Sequence, residues 1–207
     1  IVNVLRKYIK ESKKVRFEGD GYSDEWAAEA EKRGLSNLKS TPLALDVYKT
    51  KNTKELFERH NVLNHIELHA RHEIMLENFI KKVQIESRVM GDLALNHIIP
   101  TAILYQNKMI ENANGLKSLG LDHSAAVDTI KEVSKHIESL KQSVTAMIEA
   151  RKQVNKETDF EVQAKRYQTD VKEAYFDKIR YAADKLELLV DDESWPLVKY
   201  RELLFLR

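Results

Sequence analysis

Three histidines, His65, His69 and His72, follow one another at spacings of four and three residues in a predicted helix. Imidazoles one helical turn apart share a face and can bind zinc, and Glu73 follows His69 by four residues. The His-Glu-x-x-His sequence of zinc proteases is absent, and so are the Glu-x-x-His pairs of di-iron bundles. The pattern therefore favours polar residues at the edge of a packed helix, and a metal site at the three histidines remains the alternative.

The glycine-bearing loop Gly19-Asp20-Gly21 is a second candidate, because glycines let a backbone approach a phosphate closely. It lacks the Gly-Lys-Ser/Thr end of a P-loop, no predicted strand precedes it, and the nearby acidic residues do not have the spacing of a calcium loop. We therefore interpret it as a turn anchored by Tyr22 and Trp26.

His72, Glu86 and His97 fall on the apolar stripe of the same predicted helix. Buried polar side chains need partners, so we expect these three residues to find polar partners or to face another subunit. No Ser-His-Asp arrangement and no particular pair of carboxylates can be assembled with any specificity. The sequence therefore predicts no catalytic residue and no cofactor-binding residue.

The composition is typical of a soluble helical protein and argues against several classes of function. The 207 residues are 43% hydrophobic and 32% charged, and they include six Gly, three Pro and no Cys. Lys and Arg number 34 against 33 acidic residues, which gives a net charge of +1 and no electrostatic case for nucleic acid or an anionic membrane. Disulfides and thiolate sites are excluded. No apolar run reaches the roughly 20 residues that span a bilayer, and we expect a cytoplasmic location.

Short helices are predicted in the first third of the chain. The first covers residues 1–13, and because apolar residues stand at helical spacing from Ile1 onward, we interpret the chain as a piece of a longer protein. Ser23 is expected to cap the second helix, and Gly34 is placed to end it.

Two further short helices are predicted before residue 62. Thr41 and Pro42 fit the cap and the first helical position of one of them. Asn52, with Glu55 three residues later, resembles a capping box for a helix over residues 53–60.

Long helices are predicted for the rest of the chain. The first begins near residue 63, is expected to kink or break at Pro100, and ends near Gly115. Asp122 or Ser124 caps the next, whose apolar residues alternate spacings of four and three as in a coiled coil. The positions of this stripe are Ala126, Ile130, Val133, Ile137, Leu140, Val144, Met147, Arg151 and Val154.

A partner helix is predicted after a turn at residues 156–159, with Thr158 or Asp159 as its cap. Its expected stripe is Phe160, Ala164, Tyr167, Val171, Ala174, Tyr181 and Leu188. A last short helix is predicted from Ser194, with Pro196 in its first turn. The fold class is therefore all-α, with short helices followed by a three- or four-helix bundle that contains a long antiparallel hairpin.

The segment from Arg16 to Trp26 resembles the type III glutamine synthetases of bacteria, and the similarity continues through the rest of the chain. The residues that carry it are the run Arg16-Phe17-Glu18-Gly19-Asp20-Gly21-Tyr22-Ser23-Asp24-Glu25-Trp26, then Arg33-Gly34-Leu35, Thr41-Pro42-Leu43-Ala44-Leu45, and Leu63 to Glu73. The resemblance implies a parent enzyme that joins ammonia to glutamate with ATP and Mg²⁺, and that forms large oligomers. The family's metal, ATP and glutamate sites lie upstream of these residues, so no catalytic position is carried over.

We accordingly expect residues 1–62 to be the helical end of a catalytic domain and residues 63–207 to be a bundle extension. Their expected task is packing and subunit assembly, with the remainder of the catalytic domain and other copies of the chain as partners. The fragment alone is expected to be inactive. The first alternative is an independent helical interaction module. The second, less favoured, is a metal-binding bundle that uses His65, His69 and His72.

Overall fold

The computed structural model describes residues 1–205, which form helices and turns with no strand among them, so the all-α prediction is confirmed. The short helices are α1 (Val2–Glu11), α2 (Asp24–Lys32), α3 (Thr41–Leu45) and α4 (Lys51–Arg59). The long ones are α5 (residues 65–118), α6 (Ser124–Val154) and α7 (residues 160–189), and α8 is Tyr200–Leu204. Single 3₁₀ turns occupy Ser12–Val15 and Asp46–Lys49.

Helix α2 begins and ends where the sequence predicts. The Ser23 hydroxyl accepts the backbone N–H of Trp26 at 3.2 Å, and Gly34, with φ of 72°, follows the last turn. The ring of Trp26 lies 4.6 Å from that of Phe17, which anchors the preceding loop. The expectation that Tyr22 also anchors the loop is wrong, because its side chain is fully exposed.

Helices α3 and α4 start one or two residues away from their predicted positions. Ser40, not Thr41, is the N-cap residue of α3, and Pro42 lies buried in its first turn. The capping box predicted at Asn52 is wrong, since α4 already begins at Lys51. Thr50 caps α4 instead, because its extended backbone lets the hydroxyl accept the N–H of Thr53 at 3.3 Å.

Helix α5 is continuous over residues 65–118, with a change of hydrogen bonding near its middle. Regular α-helix runs over His65–Asp92 and again over Ile99–Ser118, and Leu93–Ile98 between them is π-helical. This wider turn ends two residues before Pro100, whose ring nitrogen cannot donate to the carbonyl one turn earlier. The helix therefore does not break at Pro100, and the disturbance expected there takes the form of a π segment.

Helix α5 ends at Ser118, closed by Gly120 two residues later, and not near Gly115. The N–H of Gly120 bonds to the carbonyl of Lys117 at 3.1 Å, and that of Leu121 to the carbonyl of Leu116 at 3.0 Å. Gly120 has φ of 73°, the left-handed conformation that closes such helix ends. Gly115 lies within the last helical turns, where no such conformation is needed, so the predicted end was too early.

The three long helices form a bundle, and its core is one continuous cluster. Helix α6 packs antiparallel to both α5 and α7, and a hydrogen bond of 3.0 Å joins Gln84 to Asn155 at the end of α6. The stripe predicted on α6 is confirmed, since five of its members are completely buried: Val133, Leu140, Val144, Met147 and Val154. Asp159, one of the two residues predicted to cap α7, does so by accepting the N–H groups of Glu161 and Val162 at 2.8 and 3.1 Å.

The stripe predicted on α7 is correct only in its first half. Ala164, Tyr167 and Val171 are completely buried, but Tyr181 and Leu188 are exposed, and the core positions beyond the middle are Ile179, Ala182 and Leu186. Tyr167–Phe176 is π-helical. A π turn holds more residues than an α turn, so it rotates every later side chain around the helix axis relative to a 3.6-residue pattern. Phe160, in the first turn, is also largely exposed.

The last helix begins at Tyr200 and not at Ser194. Residues 191–195 form a turn in which the N–H of Trp195 bonds to the carbonyl of Asp191 at 3.0 Å and the Ser194 hydroxyl to its carboxylate at 3.1 Å. This turn places Trp195 in the core beside the end of α7. Ser194 and Pro196 are therefore used to seat a core residue and do not start a helix.

Candidate functional site

A groove of about 510 Å³ lies between the turn Asp46–Lys49, α4 and the first turns of α5, and we call it the α4–α5 groove. It is lined by Tyr48, Lys49, Lys54, His65, Ile66, His69, Ala70, His72 and Glu73. The start of α5 is fixed by a capping box, in which the Asn64 side chain accepts the N–H groups of Ile66 and Glu67, both at 2.9 Å. The sequence pattern therefore places all three candidate histidines on one wall of a groove.

The geometry around these histidines does not form a metal centre. The Nδ1 atom of His65 lies 3.5 Å from the Glu58 carboxylate, and that of His69 lies 3.7 Å from the Glu73 carboxylate. Each exposed imidazole is thus beside a carboxylate of its own. Within residues 1–205, no three His, Asp or Glu side chains are grouped so that they could hold one metal ion. Three shared ligands are the minimum for a zinc site.

His72 differs from the other two histidines because it is buried, with 2% of its surface exposed. Burial lowers its pKa below the ordinary value, and the nearby charges of Glu161, Lys49 and Asp46 partly oppose one another. The ring is therefore neutral at pH 7. Its Nε2 atom is buried without a hydrogen-bond partner among the described residues. A buried polar atom without a partner costs free energy, so this nitrogen is suited to a bound polar group.

Two ion pairs close the groove against the start of α7. The Lys49 ammonium lies 2.7 and 2.8 Å from the two carboxylate oxygens of Glu161, and this hydrogen bond raises the pKa of Lys49. The Lys165 ammonium lies 3.0 Å from Oδ2 of Asp46, while the other oxygen of Asp46 is buried without a partner among the described residues. Lys49 is therefore already neutralised where it enters the groove.

Lys54, from α4, supplies the other positive charge of the groove. Its side chain is exposed, and it makes no ion pair or hydrogen bond within the part of the chain that the structure describes. The Glu73 carboxylate, the groove's own acidic group, lies beside His69. The groove is thus lined by one ammonium group without a partner and by one carboxylate beside an imidazole.

A second polar cluster lies where α5, α6 and α7 meet. Burial lowers the pKa of Arg151 on α6, and the positive charge of Arg88 lowers it further. Burial also raises the pKa of the Tyr167 hydroxyl. That hydroxyl donates to the Asn155 side chain, and Nη1 of Arg151 is buried without a partner among the described residues. The sequence pattern counted Arg151 as a stripe position but gave no sign of this cluster.

Other residues singled out in the sequence lie outside both clusters. Glu86 is half-buried on α5 and lines a shallow groove with Lys172, and His97 is exposed in the π segment, so His97 does not face the core as its stripe position suggested. In the glycine loop, the Asp20 carboxylate accepts the N–H of Tyr22 at 2.9 Å. That bond makes the loop a local turn, as the sequence indicates.

Residues that sequence reasoning missed are those brought to the groove from distant parts of the chain. Lys49 and Glu161 are 112 residues apart, and nothing in either local pattern signals their pairing. The buried state of His72 had a visible signal, since the residue lies on the apolar stripe.

Across residues 1–205, no helix combines the length and the apolar character needed to cross a membrane.

Comparisons with known proteins give a consistent result. The family model described as the glutamine synthetase C-terminal domain matches residues 1–117. The chain is 43% identical over 211 residues to a glutamine synthetase of Bacteroides fragilis (strain YCH46), and 30% identical over 210 residues to a type-3 glutamine synthetase of Dictyostelium discoideum. A glutamine synthetase of Butyrivibrio fibrisolvens is 30% identical over 207 residues. Each similarity covers 99% of this chain but only 28 or 29% of the relative's own length.

Proposed function

Because the chain belongs to the glutamine synthetase C-terminal domain family, we propose that it is the helical C-terminal region of a type III glutamine synthetase. In the parent enzyme the reaction would be the ATP-dependent joining of ammonia to glutamate. The task of these residues would be packing and subunit assembly in a cytoplasmic enzyme. The similarity extends over 99% of the chain, which argues against an independent interaction module that resembles the synthetases only superficially.

The observation that carries the proposal is the unpartnered apolar face of α1. None of its residues is buried, and Val2, Val4, Leu5, Tyr8 and Ile9 are each more than half exposed. A contiguous apolar surface on a short amphipathic helix marks a contact with another part of a protein. The curated relatives are more than three times as long as the stretch that matches this chain, so they contain polypeptide that could cover this face.

Residues 41–59 have a different role in this proposal. Helix α3 and the turn Asp46–Lys49 pack against α5, and two ion pairs to α7 reinforce the contact. This part would connect the catalytic body to the bundle. The bundle itself would offer the exposed apolar residues of its long helices, among them Ile74, Ile85 and Leu104, to other subunits.

The described residues do not fit the divalent metal that the reaction requires, because no three suitable side chains are grouped. Metal and nucleotide binding would therefore belong to the rest of the synthetase. The alternative of a zinc-binding bundle at His65, His69 and His72 predicts bound zinc in protein purified without chelator or affinity tag. Metal analysis of that protein tests it directly.

Hydrogen exchange tests the packing role. We compare the 207-residue chain with the synthetase that contains it, and follow the amides of α1. We expect slow exchange in the synthetase and fast exchange in the chain alone, because an unpartnered helix of ten residues is only marginally stable in water. Core amides of α6, such as that of Leu140, should be protected equally in both and serve as the control. Equal, fast exchange of α1 in both proteins would refute the proposal.

A matched pair of variants in the synthetase sharpens this test. Leu5→Asp places a charge on the apolar face of α1, and Asn3→Asp adds the same charge to the same exposed helix. We expect Leu5→Asp to reduce the protection of α1 and the yield of folded enzyme, and Asn3→Asp to leave both unchanged. Turnover of ATP with glutamate and ammonia by the 207-residue chain alone would contradict a purely structural role.

A further inference from the structure

We propose that the α4–α5 groove binds a small organic anion, whose carboxylate or phosphate group pairs with Lys54 and whose apolar body lies against Ile66 and Ala70. This site is separate from the packing role proposed above and does not depend on it. The volume of about 510 Å³ falls within the ~300–1,000 Å³ range of small-molecule sites.

Lys54 is the group of the groove that can pair with an anion. Lys49 is held by both oxygens of Glu161, and the Glu73 carboxylate lies beside His69. Lys54 is left with an ammonium group that no described carboxylate neutralises. A negatively charged ligand group would pair with this ammonium, which a cationic ligand cannot do.

The walls of the groove favour a ligand that has an apolar body and a polar group. Ile66 and Ala70 are successive members of one face of α5, and Tyr48 lines the groove from the turn Asp46–Lys49. Such an arrangement, mostly apolar with a few polar groups, is typical of sites for small organic molecules. A bare inorganic ion would leave these walls exposed to water.

His72 gives the site an internal hydrogen-bonding group. The residue lines the groove, it is 2% exposed, and its Nε2 atom has no partner among the described residues. Buried imidazole nitrogens are almost always hydrogen-bonded. A ligand oxygen that reaches this nitrogen would satisfy it, and a neutral ring can serve as donor or acceptor according to its tautomer.

A set of three compounds with one shape tests the proposal on the 207-residue chain. The probes are 3-phenylpropanoate, 3-phenylpropanol and 3-phenylpropylamine, which are anionic, neutral and cationic at pH 7.5. Binding is followed by NMR titration of protein with ¹³C-labelled histidine rings. We expect the anion to bind with a Kd on the order of 1 mM, as its size allows, and to shift the His72 ring signals. The amine, which cannot pair with Lys54, should bind more weakly.

Two variants of α4 separate the site from general electrostatics. Lys54→Gln removes the free ammonium of the groove, while Lys51→Gln removes a lysine of the same helix that pairs with Glu55 outside it. Lys54→Gln should weaken anion binding by about two- to fivefold, the usual effect of an exposed charge pair, and leave the alcohol unaffected. Lys51→Gln should change neither. His72→Phe should weaken binding of the anion by about fivefold through loss of a hydrogen bond.

Three results would overturn the assignment. They are equal affinities for the three probes, equal effects of Lys54→Gln and Lys51→Gln, and anion binding that leaves the His72 signals unmoved. Zinc binding at the groove, with no response to the anion, would also overturn it. Because Lys54 is exposed, its variant tests the site even if His72→Phe fails to fold.

Discussion

Replacing Gly91 by alanine would add a methyl group at the contact between α5 and α6. Gly91 is buried, and a Cβ atom there would lie 3.7 Å from Cγ1 of Val144 and 3.9 Å from both the Cε atom of Met147 and the Cδ1 atom of Ile148. These are ordinary van der Waals separations, so no neighbour needs to move. The bundle therefore has room for alanine at this position.

The expected gain in the free energy of unfolding has two parts. Alanine is favoured over glycine inside a helix by about 0.8–1.0 kcal/mol, since glycine loses more backbone freedom on folding. Burying a methyl group adds up to about 0.8 kcal/mol. We therefore expect Gly91→Ala to raise the free energy of unfolding by about 1.5 kcal/mol. Gly115→Ala, also in α5 but with nothing within 4 Å of its Cβ, should gain only the first part.

Urea and thermal unfolding followed by circular dichroism at 222 nm measure both variants. For a chain of this size, 1 kcal/mol corresponds to about 2–4 °C in Tm, so the two variants should be distinguishable. Gly120→Ala serves as the opposite control, because φ of 73° strains alanine and should lower stability. If Gly91→Ala were no more stable than Gly115→Ala, the described spacing between α5 and α6 would be incorrect.

Arg151→Met should raise the free energy of unfolding by about 1 kcal/mol, because it removes both a buried nitrogen without a described partner and the repulsion from Arg88. Urea unfolding measures this change. A loss of stability would instead reveal a partner for the guanidinium. Stability should fall as pH drops from 7.5 to 5.5, since burial lowers the pKa of His72 and of His136, a second buried histidine on α6, below the ordinary value. The unfolded chain then binds protons that the folded chain does not. A double variant with phenylalanine at both positions should show a flatter pH dependence of urea unfolding, and an unchanged slope would contradict the assignment. Asp159→Ala should lower stability by about 1 kcal/mol, because two backbone N–H groups lose their acceptor, and Thr158→Ala, beside it, should have little effect in the same assay.

Prediction from the sequence succeeds where the helix remains a regular α-helix. On α6 the spacing of apolar residues identified core members from Ala126 to Val154, because 31 residues of unbroken α-helix keep the pattern in phase with the bundle. The caps at Ser23 and Asp159 were also correct, since each depends only on a side chain and the next turn of backbone. Local rules are sufficient for these features.

Helix α7 shows where such rules fail. Its pattern pointed to Tyr181 and Leu188, which are exposed, while the core contains Ile179 and Leu186. The π segment Tyr167–Phe176 changes the number of residues per turn, and no residue type within it predicts this change. The same holds for Leu93–Ile98 in α5, although Pro100 pointed to a disturbance there.

The groove depends on tertiary contacts in a further way. Spacing alone placed His65, His69 and His72 on one face of a helix, with a metal site there as the less favoured alternative. The structure gives two of these rings a neighbouring carboxylate and buries the third, so the shared face does not become a shared ligand set. What distinguishes Lys54 from Lys49 is the distant Glu161, which neutralises Lys49 and leaves Lys54 as the charge available to a ligand. The chemistry of the groove is therefore decided by which charges α7 pairs when it packs, and substitution of Glu161 should change ligand preference although it does not line the groove.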